Sequence, residues 1–64
     1  MKVNGEEFEF KSDMTISKLL EDIGVKKDSV VVEINLNIIE NNQYDSYILR
    51  EEDVIEVIRF VGGG

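Results

Sequence analysis

Residues 54–64 read VIEVIRFVGGG, an apolar stretch that runs directly into three terminal glycines. Its β-branched residues predict a strand from Val54 to Phe60. One face of that strand holds Ile55 and Val57, and the other holds Val54, Glu56, Ile58 and Phe60. A strand that is apolar on both faces is either central in its sheet or partly exposed for a partner. We expect docking at Phe60 and leave Ile58 open between core and docking.

The glycine end makes the terminal carboxylate a candidate reactive group. Glycine has no Cβ, so Gly62, Gly63 and Gly64 can extend in a narrow slot and bring that carboxylate close to another protein. An enzyme that converts the carboxylate into a better electrophile needs this access. An inert tail is the alternative, although a flexible linker usually contains serine and follows a domain boundary.

Composition restricts the function classes further. Sixty-four residues hold one domain, and the chain has no Cys and no His, which argues against thiolate, imidazole and common zinc chemistry. A net charge of −7 works against nucleic acid and anionic membranes and favours a basic partner surface. No apolar run approaches membrane-spanning length, so we expect a cytoplasmic protein. A metal site built from Glu51-Glu52-Asp53 is the remaining enzymatic route, and we interpret that segment as a solvated turn.

The first part of the chain predicts a hairpin followed by a helix. Asn4-Gly5 favours a tight turn, and Phe8 and Phe10 alternate with charged residues in the second strand, which is predicted to continue to Lys11. Thr15 is the expected helix cap and Gly24 the expected stop. Four apolar residues fall on one helical stripe at helical spacing: Ile16, Leu19, Leu20 and Ile23.

The second half predicts two more strands before the last one. Residues 30–35 alternate as a strand, with a turn at Asn35 or Asn37, and Ile38-Ile39 forms a brief strand. Residues 40–49 predict a loop with one helical turn. Its expected anchors in the core are Tyr44, Tyr47, Ile48 and Leu49. Together these elements predict an α+β fold, in which a mixed sheet of four to five strands packs on one helix.

With these segments assembled, the chain resembles the ThiS family, the small sulfur carriers of thiamine thiazole synthesis, which are ubiquitin-like β-grasp proteins. The resemblance covers nearly all of the chain. Its segments are KVNGE (2–6), TISKLL (15–20), VVVEIN (30–35) and DVIEVIRFVGGG (53–64). Two turns differ, because the family's usual Asn-Gly and Gly-Asp are Asn35-Leu36 and Glu52-Asp53 here. The resemblance implies a β-grasp domain over residues 1–61 and a glycine tail over residues 62–64.

The same resemblance implies a reaction at Gly64. A ThiF-like adenylating enzyme would use ATP and magnesium to turn the Gly64 carboxylate into an acyl-adenylate. Sulfur from a cysteine desulfurase would then leave a thiocarboxylate, which a ThiG-like thiazole synthase consumes. The carrier itself would bind no cofactor and no metal. The residues expected to contact the partner are Ile58, Phe60 and Val61.

Other assignments remain open from the sequence. The small subunit of molybdopterin synthase resembles ThiS in fold, Gly-Gly end and thiocarboxylate, but those chains are generally longer. A ubiquitin-like modifier would end as an isopeptide on lysines. A non-catalytic β-grasp interaction module with an inert tail is the alternative from a different class, and it would tolerate deletion of Gly64.

Overall fold

The structure, a computed structural model, describes residues 1–60, so the predicted site residues Val61, Gly62, Gly63 and Gly64 lie outside the described residues. The predicted boundary after residue 61 therefore stays a prediction. The elements are β1 (Lys2–Val3), β2 (Glu6–Glu7), α1 (Ile16–Ile23), β3 (Val30–Ile34), β4 (Asn37–Ile39) and β5 (Val54–Arg59), with short 3-10 helices at Lys27–Ser29 and Asn41–Gln43.

The five strands form one sheet in the order β2-β1-β5-β3-β4. Strand β5 pairs parallel with β1 and antiparallel with β3, so the last strand in sequence is the central one. The predicted mixed sheet with one helix is confirmed. No helix within the described part of the chain is long and apolar enough to cross a membrane.

The first hairpin turns where the sequence predicts. Asn4 and Gly5 have φ angles of 53° and 82°, the left-handed values that a two-residue hairpin turn requires. The prediction that the second strand continues to Lys11 is wrong, because β2 pairs with β1 only at Glu6 and Glu7. Beyond it, Phe8 and Phe10 are half-buried against the core.

Helix α1 has the predicted ends. The Thr15 hydroxyl oxygen accepts a hydrogen bond from the Lys18 backbone N–H at 3.1 Å, and Gly24 ends the helix with φ 83°. Three of the four residues on the predicted stripe are buried, but Ile23 is 37% exposed. It lies in the last turn and lines a shallow surface cavity with Val25 and Arg59, instead of packing in the core.

The core fills the space between α1 and the inner face of the sheet. The side chains less than 2% exposed include Ile16, Leu19, Leu20, Val32, Ile34, Leu49 and Ile55. Tyr44 is also buried, and its hydroxyl accepts a hydrogen bond from the Val32 backbone N–H at 3.2 Å. Ile48, predicted as an anchor, is 49% exposed. It pairs with Thr15 in a β-bridge, and because extended backbone alternates, Leu49 points inward while Ile48 points outward.

The turn between β3 and β4 is at Asn35, because Asn35 and Leu36 both have positive φ angles and Asn37 begins β4. The Asn35 side chain also reaches the turn before β5. Its Nδ2 donates to Asp53 Oδ1 at 3.0 Å, and its Oδ1 accepts from the Val54 N–H at 3.0 Å.

Asp53 corrects the prediction of a fully solvated acidic turn. Glu51 and Glu52 are exposed, but Asp53 is buried, and its Oδ2 accepts from the Arg50 backbone N–H at 2.8 Å. Its carboxylate is occupied by hydrogen bonds within the fold. Within residues 1–60, no three acidic side chains form a group that could hold a metal ion.

Candidate functional site

The outer face of the sheet, opposite α1, presents apolar side chains from the central strand. Val54 is 48% exposed, Ile58 47% and Phe60 59%, whereas Ile55 and Val57 face the core. The sequence alone does not decide between core and docking for Ile58, and the structure places its side chain on the outer face. Helix α1 covers one face only, so this row is accessible to a partner.

Phe60 lies at the end of the outer face from which the glycines continue in sequence. Its backbone N–H donates to the carbonyl of Ser29, the residue just before β3, at 3.0 Å, which extends the pairing one residue beyond the end of β5. Its side chain lines a shallow cavity of about 450 Å³ together with Val31, Ile38 and Tyr44. The last described residue is thus fixed to the sheet beside an apolar depression.

The hydrogen-bond partners along one edge of β5 change from one end of the strand to the other. Strand β1 pairs with it at Val54 and Ile55, and then the Asn4 side-chain oxygen accepts from the Val57 N–H at 2.8 Å. From Ile58 onward, β3 is the only strand paired with β5 in the described part of the chain. A partner that binds an extended terminal segment can add hydrogen bonds along such an edge.

Charges surround the Phe60 cavity without making it basic. Lys27 lines the cavity, but its ammonium forms an ion pair with Asp45 at 3.2 Å. The hydroxyl of Ser17 donates to Asp45, and this bond together with Lys27 holds the pKa of that carboxyl below its usual value. Asp28 and Glu40 also line the cavity. The rim is therefore mixed in sign, with an apolar floor.

Sequence reasoning missed a second charged feature of the outer face. Glu33 on β3 and Glu56 on β5 lie directly opposite each other in the strand register, in the middle of that face. The alternation of each strand indicates that both point outward, but their pairing depends on register. A turn placed at Asn35, combined with the inward-facing apolar residues, could have set that register in advance.

The comparisons with known proteins agree with this architecture. A family model described as the ThiS family matches residues 1–64. The sulfur carrier protein ThiS of Bacillus subtilis (strain 168) is 38% identical over 65 residues, covering 100% of this chain and 98% of that protein. A crystal structure of the thiamine biosynthesis protein ThiS from Geobacter metallireducens superposes with a TM-score of 0.78 at 26% identity, covering 98% of this chain and 96% of that one.

Two thiazole synthases are also similar to this chain over a small part of their length. The protein from Paramagnetospirillum magneticum is 39% identical over 62 residues, and the protein from Magnetococcus marinus is 36% identical over 62 residues. In both comparisons the similar region covers 97% of this chain but only 19% of the thiazole synthase. These enzymes thus contain a region that resembles the whole of this chain.

Proposed function

Because this chain belongs to the ThiS family, whose model matches residues 1–64, we propose that it is a sulfur carrier for thiamine thiazole synthesis. The observation that carries the proposal is the full-length similarity to the Bacillus subtilis carrier, together with the β-grasp fold shared with the Geobacter protein. The Bacillus subtilis protein, 98% of which matches this chain, is a sulfur carrier, so we assign the catalytic groups to partners of the chain. The same similarity favours the thiamine pathway over the molybdopterin alternative.

The proposed chemistry takes place at the Gly64 carboxylate. A ThiF-like adenylating enzyme uses ATP and magnesium, one carboxylate oxygen attacks the α-phosphorus, and pyrophosphate leaves. A persulfide formed by a cysteine desulfurase then attacks the acyl carbon and displaces AMP, and a thiol reductant cleaves the S–S bond of the resulting acyl disulfide. The resulting thiocarboxylate delivers its sulfur to thiazole synthase. The carrier contributes an unobstructed terminus, because Gly62 and Gly63 have no side chains to block approach to the carbonyl.

In this proposal the tail end of the outer face is the docking surface. Ile58 and Phe60 are exposed beside an apolar cavity, and Val61 follows them in sequence. Burying these side chains in an enzyme would offset the ordering cost of the glycine tail. The thiazole synthases that contain a region similar to this chain support a ThiG-like partner. Since activation consumes ATP, we expect the protein to act in the cytoplasm.

Intact-mass spectrometry tests the proposal. The purified protein is incubated with the adenylating enzyme, ATP, magnesium, a cysteine desulfurase, cysteine and a thiol reductant. We expect a mass increase equal to replacement of one oxygen by sulfur, and no such increase in a variant that lacks Gly64 but keeps the fold. Persistence of the free acid alone, with an adenylating enzyme that is active on a known carrier, would refute the carrier function.

A further inference from the structure

The outer face has a second feature, which extends from the middle of β5 toward Val54. Glu33 and Glu56 face each other across the β3–β5 pair, and side chains in that relation have Cβ atoms about 5 Å apart. Like charges in this position are destabilising. Among residues 1–60, no ion pair includes either glutamate; Lys2 lies on the same face, but in register with Val54. The isolated domain therefore leaves this repulsion uncompensated by a direct ion pair.

Leu36 lies next to this acidic pair in an unfavourable conformation. Its φ of 72° is in the left-handed region that favours glycine or asparagine, and its side chain is 90% exposed. A glycine would fit this turn position better and would expose less apolar surface. The isolated fold thus gains nothing evident from a leucine here, whereas a partner surface would gain an apolar contact.

The two glutamates and Leu36 line one depression. A shallow cavity of about 340 Å³ is bounded by Glu33, Asn35, Leu36, Val54 and Glu56. We call it the acidic notch. It lies about 13 to 20 Å along the strand from Phe60, given the rise of about 3.3 Å per residue and its boundaries at Glu56 and Val54. A partner that contacts both Phe60 and the notch must therefore span the length of the central strand.

We propose that the acidic notch receives an arginine side chain from the enzyme that adenylates Gly64. A guanidinium can bind two carboxylates at once and pack its flat faces against the apolar side chains of Leu36 and Val54. The notch offers this combination of paired negative charge and apolar walls. Arginine also suits a docking surface, because its charge is permanent and only weakly hydrated.

The charge balance of the encounter favours the adenylating enzyme as the source of that arginine. This inference rests on the proposed function, in which a protein of net charge −7 must approach a site that already holds ATP. Positive charge on the docking surface would offset the repulsion between carrier and nucleotide and would speed association. An arginine in the notch places such charge away from Phe60, after which the tail continues in sequence, and there it orients the carrier.

The test compares two double variants with the same change in charge. Glu33→Gln with Glu56→Gln removes both charges from the notch, and Glu6→Gln with Glu9→Gln removes two exposed charges from the first hairpin region. The dissociation constant for the adenylating enzyme is measured by calorimetry at several salt concentrations. We expect the notch variant to bind at least about tenfold more weakly at low salt, with a smaller salt dependence, and the control to change much less.

Thermal unfolding of the same variants separates docking from folding. The notch variant should melt at the same temperature as the wild type or higher, because the like-charge pair is gone. If wild type is adenylated while both double variants bind alike, the notch proposal is wrong and the carrier function stands. If the enzyme does not adenylate the wild type, the carrier function fails and the notch proposal falls with it.

The variant Leu36→Gly provides a second, independent test of the proposal. We expect its melting temperature to rise, since glycine adopts the left-handed turn without strain, and its affinity for the adenylating enzyme to fall several-fold. Leu36→Asn, which also tolerates this conformation, should behave in the same way. A rise in melting temperature with unchanged affinity in both variants would overturn the role of the leucine as a wall of the notch.

Discussion

Asp53 joins two turns that are far apart in sequence. Its carboxylate accepts from the Arg50 backbone and from the Asn35 side chain, and it is 4% exposed. We expect Asp53→Asn to lower the free energy of unfolding by about 1 to 3 kcal/mol, because an amide presents a donor where the carboxylate only accepts. Urea denaturation monitored by circular dichroism measures this change.

Glu52→Gln is the matched control, since it removes the same charge from the exposed neighbour. Its unfolding free energy should stay within about 0.5 kcal/mol of the wild type. Similar losses in the two variants would mean that charge alone matters at this turn. The hydrogen bonds of Asp53 would then have no special part in holding β5.

At the scale of the helix, two aliphatic residues on the same predicted stripe have different environments. Leu19 is 0% exposed, whereas Ile23 is 37% exposed in the last turn. Leu19→Ala should cost about 2 to 5 kcal/mol, enough to unfold much of so small a domain. Ile23→Ala should cost about 1 kcal/mol or less, since little buried surface is lost. Equal costs in thermal or urea unfolding would contradict the observed helix orientation.

The elements that sequence predicts well are those with local causes. Asn4-Gly5, the Thr15 cap and the Gly24 stop each act within a few residues, and the structure has all of them. The predicted burial of Ile23 and Ile48 is wrong, because burial there depends on the three-dimensional positions at which the helix and the sheet end.

In the candidate site, too, the features with local causes are predicted from sequence and those set by distant contacts are not. Alternation along β5 predicts which residues share a face with Phe60, and the expected docking residue Phe60 is exposed, whereas the sequence left Ile58 undecided. The burial of Asp53 and the pairing of Glu33 with Glu56 were not predicted, because their partners lie 18 and 23 positions away in the chain. Such contacts follow from tertiary register, which local patterns do not specify unless each turn is placed first.

For the molecule as a whole, folding and partner binding should be separable at Phe60. The side chain is 59% exposed, so Phe60→Ala removes little from the core. We expect a small change in melting temperature but a clear rise in the dissociation constant for the adenylating enzyme, measured on the same samples. A large loss of stability with normal binding would place Phe60 in the fold and remove it from the docking surface.

The central position of β5 has a mechanical consequence. A partner that draws on the C-terminus loads a strand that is hydrogen-bonded to β3 on one side and to β1 and the Asn4 side chain on the other. A pull along the strand loads these bonds in shear, so that several must yield together, whereas an edge strand could be peeled away one bond at a time. Resistance in shear of this kind would keep β5 folded while a partner binds the segment that follows it in sequence.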